Sequence, residues 1–171
     1  MKIIITTLII ISVGISLCCQ TKETNQPTAQ ELEIYKTILG EKPKELIVID
    51  ESRVGIFGEI STGKLKEILS GLQNDTFDNF VKTNASPPSI ADSVQSTFDY
   101  PLINKVDFEK KNLKPSRYYV FSRVGFSNDG KQAVVMFVDE CSPLCAKGAY
   151  FLLKDKNGFW EIEKESEAWR S

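Results

Sequence analysis

Three groups of residues have types and spacings that could do chemistry, and one absence narrows all of them. Histidine is missing from the 171 residues, which removes Ser-His-Asp and Cys-His catalysis, histidine-ligated metals and a histidine pH switch. Cys141 and Cys145 stand at C-x-x-x-C spacing. Glu161, Glu163, Glu165 and Glu167 occupy alternate positions near the C-terminus, and Tyr119, Phe121 and Arg123 do the same upstream. A closed structural zinc site needs four nitrogen or sulfur ligands, so the two cysteines of the expected mature domain cannot build one within a single chain.

Each group has a structural and a functional reading. In an oxidising compartment the cysteine pair reads as a disulfide. Pro143 can turn the chain within the three-residue gap, and so short a loop contributes about 2 kcal/mol on the chain-entropy model. The functional alternative is a redox-active or metal-binding thiol pair. Thioredoxin-type motifs are C-x-x-C at a helix start, however, and only Lys147 lies close enough in sequence to lower a thiol pKa. On a strand, the glutamate spacing puts all four carboxylates on one face, with Trp160 and Ile162 on the other. They read as a solvated face balanced by cross-strand Lys154 or Lys156. A calcium site or paired-carboxylate hydrolase would need further acids, such as Asp139 and Glu140, to converge on them. Tyr119, Phe121 and Arg123 share one face of a strand as a possible ligand face, and Tyr118, Val120, Val124 and Phe126 occupy the other. Both faces are partly apolar, so each needs a cover: helices on one, a partner or ligand on the other. Ser61-Thr62-Gly63-Lys64 is no phosphate loop, because Leu65 follows where Ser or Thr is required. No catalytic or cofactor motif is present.

The elements that must position these residues follow a short N-terminal leader. Lys2 is a minimal basic n-region, and Ile3 to Leu17 is an apolar run short for a membrane span and suited to a signal peptide, with a single-pass anchor as the alternative. The run ends Ile15-Ser16-Leu17-Cys18-Cys19, which resembles a lipobox whose cysteine is acylated. Small Ser16 precedes Cys19 by three, while overall likeness favours Cys18, so the lipidated residue is Cys18 or Cys19; cleavage after Ser16 by an ordinary signal peptidase is the alternative. The expected organisation is a signal peptide over 1–18, a flexible tether over 19–29 and a single α+β domain over 30–171. Multiple acyl chains hold a protein stably at a membrane. The expected location is therefore the cell envelope, with the domain facing periplasm or exterior. Without Lys2, 20 basic residues face 23 acidic ones, a net charge of −3. No basic cluster of the kind that binds nucleic acid is present.

Within the domain, Leu32, Tyr35, Ile38 and Leu39 share a helical face over Gln30–Leu39, ended by Gly40. Leu46–Ile49 and Val54–Phe57 read as strands. Helices are expected from about Gly63 to Leu72 and from Asn74 or Asp75 through Val81. Four strands follow, Arg117–Ser127, Gln132–Cys141, Gly148–Lys154 and Phe159–Glu165. Asn128-Asp129-Gly130 and Asn157-Gly158 supply positive-φ turns. The expected fold is α+β, with N-terminal helices covering one face of a four-stranded antiparallel meander. A curved sheet around a helix, as in cystatin or NTF2-like folds, is the nearest analogy.

Ser122-Arg123-Val124-Gly125-Phe126, Gly130, Ala133, Cys141-Ser142-Pro143-Leu144-Cys145, Gly148, Tyr150, Leu152-Leu153, Asn157-Gly158, Trp160 and the closing Trp169-Arg170-Ser171 resemble the C-terminal signature of a family of uncharacterised exported bacterial proteins. The likeness covers about 55 of the 171 residues. Ser142 and Ala146 stand where that family has glycine. The resemblance implies export and no particular activity. The expected role is a non-enzymatic binding or interaction module with an unknown protein or small-molecule partner. A histidine-free enzyme using carboxylates or the Cys141/Cys145 thiols is the alternative.

Overall fold

The computed structural model describes residues 27–49, 62–85, 100–141 and 145–171. The expected strand Val54–Phe57 and the lipobox cysteines Cys18 and Cys19 lie outside them.

The first helix, α1 (Ala29–Leu39), starts at a capping box. The Thr28 hydroxyl accepts the Glu31 N–H at 3.2 Å, and the Glu31 carboxylate accepts the Thr28 N–H at 2.8 Å. Together they satisfy two donors that a helix start otherwise leaves orphaned. Ile34, Tyr35, Ile38 and Leu39 form the buried stripe. Glu33, Lys36 and Thr37, at the same helical spacing, form a second face. Gly40 ends the helix at φ 53°, a conformation glycine adopts without steric cost.

Strand β1 (Leu46–Ile49) is followed by helices α2 (Thr62–Ile68) and α3 (Asn74–Ala85), then by β2 (Leu102–Asn104) and the short helix α4 (Lys105–Lys110). Five strands complete the chain: β3 (Tyr118–Phe121), β4 (Gly125–Phe126), β5 (Gln132–Glu140), β6 (Lys147–Lys156) and β7 (Phe159–Arg170). The fold is α+β, as the sequence leads one to expect, but the sheet is larger than a four-stranded meander. Its order is β2-β1-β3-β5-β6-β7, with β4 also paired to β5. β1 runs parallel to both β2 and β3, and every other pairing is antiparallel.

Helices also cover both faces of the sheet, which explains why its central strands are apolar on both sides. α1 packs on Ile47, Ile49, Tyr119, Phe121, Val135, Phe137, Phe151 and Leu153. Leu65 and Leu69 of the α2 region and Phe77 and Phe80 of α3 pack on Val48, Val120, Val134, Met136, Tyr150 and Leu152. Neighbouring strand residues therefore fall alternately into two cores. The cystatin and NTF2-like picture, one helix inside a curved sheet, does not describe this two-sided arrangement. Gln132, buried in β5, fixes the second layer: its side chain accepts the Gln73 N–H at 2.8 Å and donates to the Gly71 carbonyl at 2.9 Å.

The expected strand Arg117–Ser127 is divided into β3 and β4 by Ser122–Val124. At this interruption the Ser122 hydroxyl accepts the Met136 N–H at 2.9 Å, standing in for a carbonyl of the ladder. Immediately after it, Gly125 meets α3 so closely that a Cβ would lie 2.3 Å from Cβ and 2.5 Å from Cα of Phe80.

Candidate functional site

Tyr119, Phe121 and Arg123 do come together on the α1 side of the sheet, though not as an open ligand face. Tyr119 and Phe121 have no exposed surface, and the Tyr35 ring stacks on Phe121 at 4.4 Å between centroids. Arg123 grips Glu31 with two donors, Nε to Oε1 at 2.8 Å and Nη2 to Oε2 at 3.0 Å. Oε1 also accepts the Val124 N–H at 3.1 Å. With the Thr28 N–H, the buried Glu31 carboxylate receives four hydrogen bonds. A bidentate, fully satisfied pair is the form in which a buried charge is tolerable.

The loop that carries Arg123 is tied from both layers. The Tyr35 hydroxyl donates to the Ser122 carbonyl at 3.0 Å from α1. From α3, Asn84 accepts the Arg123 N–H at 2.9 Å and donates to the Arg123 carbonyl at 3.1 Å. This is a structural lock between the two helical layers.

The carboxylates on β7 also part from the expected single face. Leu153 pairs with Ile162 and Leu152 with Lys164, so Glu163 is an extra residue in a β-bulge. The bulge shifts the alternation by one. Glu161 lies opposite Lys154 and Glu165 opposite Phe151, and those two partners belong to opposite faces of β6. The lysines expected to balance the acids do so: Lys154 pairs with Glu163 and Lys156 with Glu161. Lys147 adds Glu165 at 3.0 Å and Glu167 at 3.8 Å. Asp139 is taken up by Arg117 in a two-pronged pair and does not join the β7 acids. Among the described residues no three cysteine, aspartate or glutamate side chains converge to hold a metal. Cys141 and Cys145 form the expected disulfide, their Cα atoms 5.6 Å apart.

Among the described residues, one cleft of about 280 Å³ lies between the outer face of α1 and the β6–β7 turn, lined by Glu33, Lys36, Thr37, Gly158, Phe159 and Trp160. Its helical wall follows from spacing: Glu33, Lys36 and Thr37 are i, i+3 and i+4, displaced from the buried stripe. Its other wall depends on the turn. Asn157 and Gly158 adopt φ 59° and 88°, the two positive values that a tight hairpin needs. Asp155 accepts the Gly158 N–H at 2.6 Å and the Lys131 ammonium at 2.5 Å. The Lys131 hydrogen bond, then that N–H, hold the Asp155 carboxyl below the usual aspartate range. The turn thrusts Phe159 outward, 76% exposed, more than any other large apolar side chain among the described residues. Trp160 is half-buried and packs on Phe126 at 5.8 Å, so one aromatic is anchored and its neighbour is free to be touched.

The sequence reading assigned Trp160 to a strand face and missed the cleft. The readable signal was an aromatic directly after Asn157-Gly158, where a hairpin places its tip. No protein-family model, no curated protein and no solved structure matches the chain.

Proposed function

We propose that this chain is an exported cell-envelope protein, acylated at Cys18 or Cys19, whose α+β domain is a non-enzymatic binding module working through the cleft between α1 and the β6–β7 turn. The observation that carries the binding role is Phe159, left in water beside a concave wall while the domain's own helices cover both faces of the sheet. A single exposed aromatic is ordinary in itself; what supports a binding role is that this one borders a concave wall formed by Glu33, Lys36 and Thr37. The leader supports export. Among the described residues no helix is long and apolar enough to cross a membrane, so membrane attachment in this reading comes from the acylated cysteine. The enzymatic alternative finds little to build on: the thiols are bonded to each other, and each β7 carboxylate from Glu161 to Glu167 faces a lysine.

Intact mass of protein purified from its native membranes tests the tether. Acyl mass on an N-terminal cysteine, with Cys141 and Cys145 alkylated only after reduction, is expected. A chain beginning at Leu17 without added acyl mass would overturn it. The cleft is tested by a photoreactive benzoylphenylalanine in place of Phe159, irradiated in cells. An adduct that vanishes when the probe moves to Val106, an exposed residue of α4, supports the cleft. No adduct at 159 would overturn it.

A further inference from the structure

We infer that the cleft takes a neutral carbohydrate, one or two pyranose rings of a longer glycan, with the sugar face laid on Phe159 and its hydroxyl groups held by α1. This rests on reading the cleft as a binding site and names the ligand class for it.

Four observations select that chemistry. The apolar wall is aromatic, and an aromatic ring offers an electron-rich face to the weakly positive C–H groups that line one side of a pyranose. The opposite wall carries an acceptor-only carboxylate at Glu33, a donor-only ammonium at Lys36 and a hydroxyl at Thr37. A sugar hydroxyl, which both donates and accepts, can use all three. The Thr37 hydroxyl hydrogen is already given to the Glu33 carbonyl at 2.9 Å, so toward a ligand this oxygen acts as an acceptor. Glu33 and Lys36 cancel in charge, so no ionic class gains a net field from the lining. The volume of about 280 Å³ is at the small end for ligand sites, and the cleft lies open at the surface, which suits a ring within a chain.

A lipid surface is the competing occupant of an exposed aromatic tip. The charges argue against it. Lys156 is paired with Glu161, Lys154 with Glu163 and Lys131 with Asp155, so the tip presents no surplus of positive charge to anionic headgroups. Sinking Phe159 into a bilayer would also bring the Glu33 side of the cleft toward the interface.

The test uses the full-length protein in detergent and three neutral trisaccharides, chitotriose, cellotriose and maltotriose. Saturation-transfer NMR should show contact with ring protons of at least one, with an affinity in the millimolar range typical of a small, open site. Phe159→Ala and, separately, Glu33→Gln should each weaken it about tenfold or more, while Val106→Ser leaves it unchanged. Phe159 and Glu33 are exposed, so both variants should melt with the parent, and circular dichroism checks this. No transfer from any trisaccharide at about 10 mM, at or above the millimolar dissociation constants expected of this site, overturns the inference. So does transfer that is equal in the parent and in Phe159→Ala. A Phe159→Trp variant reconstituted in phosphatidylethanolamine–phosphatidylglycerol vesicles reports the rival: a blue shift there without sugar binding assigns the tip to the membrane and overturns the carbohydrate. A photo-adduct at position 159 without sugar binding removes the ligand class and leaves the binding role standing. Failure of both experiments removes the two together.

Discussion

Glu31 and Glu33 sit two residues apart on the same helix, and their surroundings are opposites. Glu31 is sealed between α1 and the Ser122–Val124 loop, with every lone pair it needs already occupied by Thr28, Arg123 and Val124. Glu33 lies at the mouth of the cleft, across from a hairpin tip that leaves Phe159 in water. The first region is saturated and has no capacity for a ligand. The second is open to solvent, with the Glu33 side chain and the Phe159 ring both exposed. A charged side chain at a helix surface can thus be read by what its neighbours have left undone, since identical chemistry gives a lock in one place and an opening in the other.

The contrast can be broken most severely from the saturated side. Glu31→Ala should destabilise the domain by about 3–5 kcal/mol, because it removes the bidentate carboxylate from a nearly buried guanidinium. The double variant Glu31→Leu/Arg123→Met should recover much of that loss in urea unfolding. Additive effects in the cycle would show that the pair is not coupled. Gly125→Ala comes next, at about 3 kcal/mol, since its Cβ would meet the α3 backbone at Phe80 and neither element can yield cheaply; thermal unfolding measures it.

Tyr150 sharpens the comparison from inside the core. Its hydroxyl is buried without a hydrogen-bond partner among the described residues, and burial pushes its pKa up to about 12. The folded pKa therefore lies above the unfolded value near 10. The associated stability is fully present below about pH 10 and is lost as pH rises through about 12, a loss of about 3 kcal/mol. Tyr150→Phe should remove that alkaline limb and leave stability at neutral pH equal or slightly higher, as followed by denaturant titration at several pH values. The smallest effect belongs to the open side: Phe159→Ala should change stability by no more than about 0.5 kcal/mol. A larger loss would mean that Phe159 holds the fold, and the distinction between the two regions would fail.

Much of this architecture can be read along the chain wherever the signal is local. Asn128-Asp129-Gly130 and Asn157-Gly158 mark the β4–β5 and β6–β7 turns, and the helical stripes of α1 and α3 are plain. Thr28-Ala29-Gln30-Glu31 is a capping-box pattern that places the start of α1 at Ala29, although periodicity alone begins the helix at Gln30. The parallel pairing of β1 with β2 and β3 leaves no such mark, because its partners are distant in sequence and joined by helices. The apolar character of both faces of β3 is legible, but its cause, helices on each side, depends on tertiary packing. The bulge at Glu163 is invisible in a run of alternating glutamates, and with it goes the single acidic face. The disulfide is legible in the short spacing of Cys141 and Cys145. The cleft is hidden because its walls come from opposite ends of the chain. Of the residues behind the resemblance to exported proteins, Ser122, Arg123, Gly125, Asn157 and Gly158 have structural work here, in the lock, the close approach to α3 and the hairpin turn.

The capping box of α1 shares its carboxylate with a residue 92 positions away. Helix starts are ordinarily local affairs, formed and lost within one turn. Here the group that begins the helix is also the group that holds the β3–β4 loop, so neither can be ordered while the other is loose. In hydrogen exchange the Thr28 and Val124 amides, both donors to Glu31, should open with a single free energy despite their separation in sequence. The first turn of α1 then reports whether the far strands have closed, and it should be among the last pieces of the domain to settle.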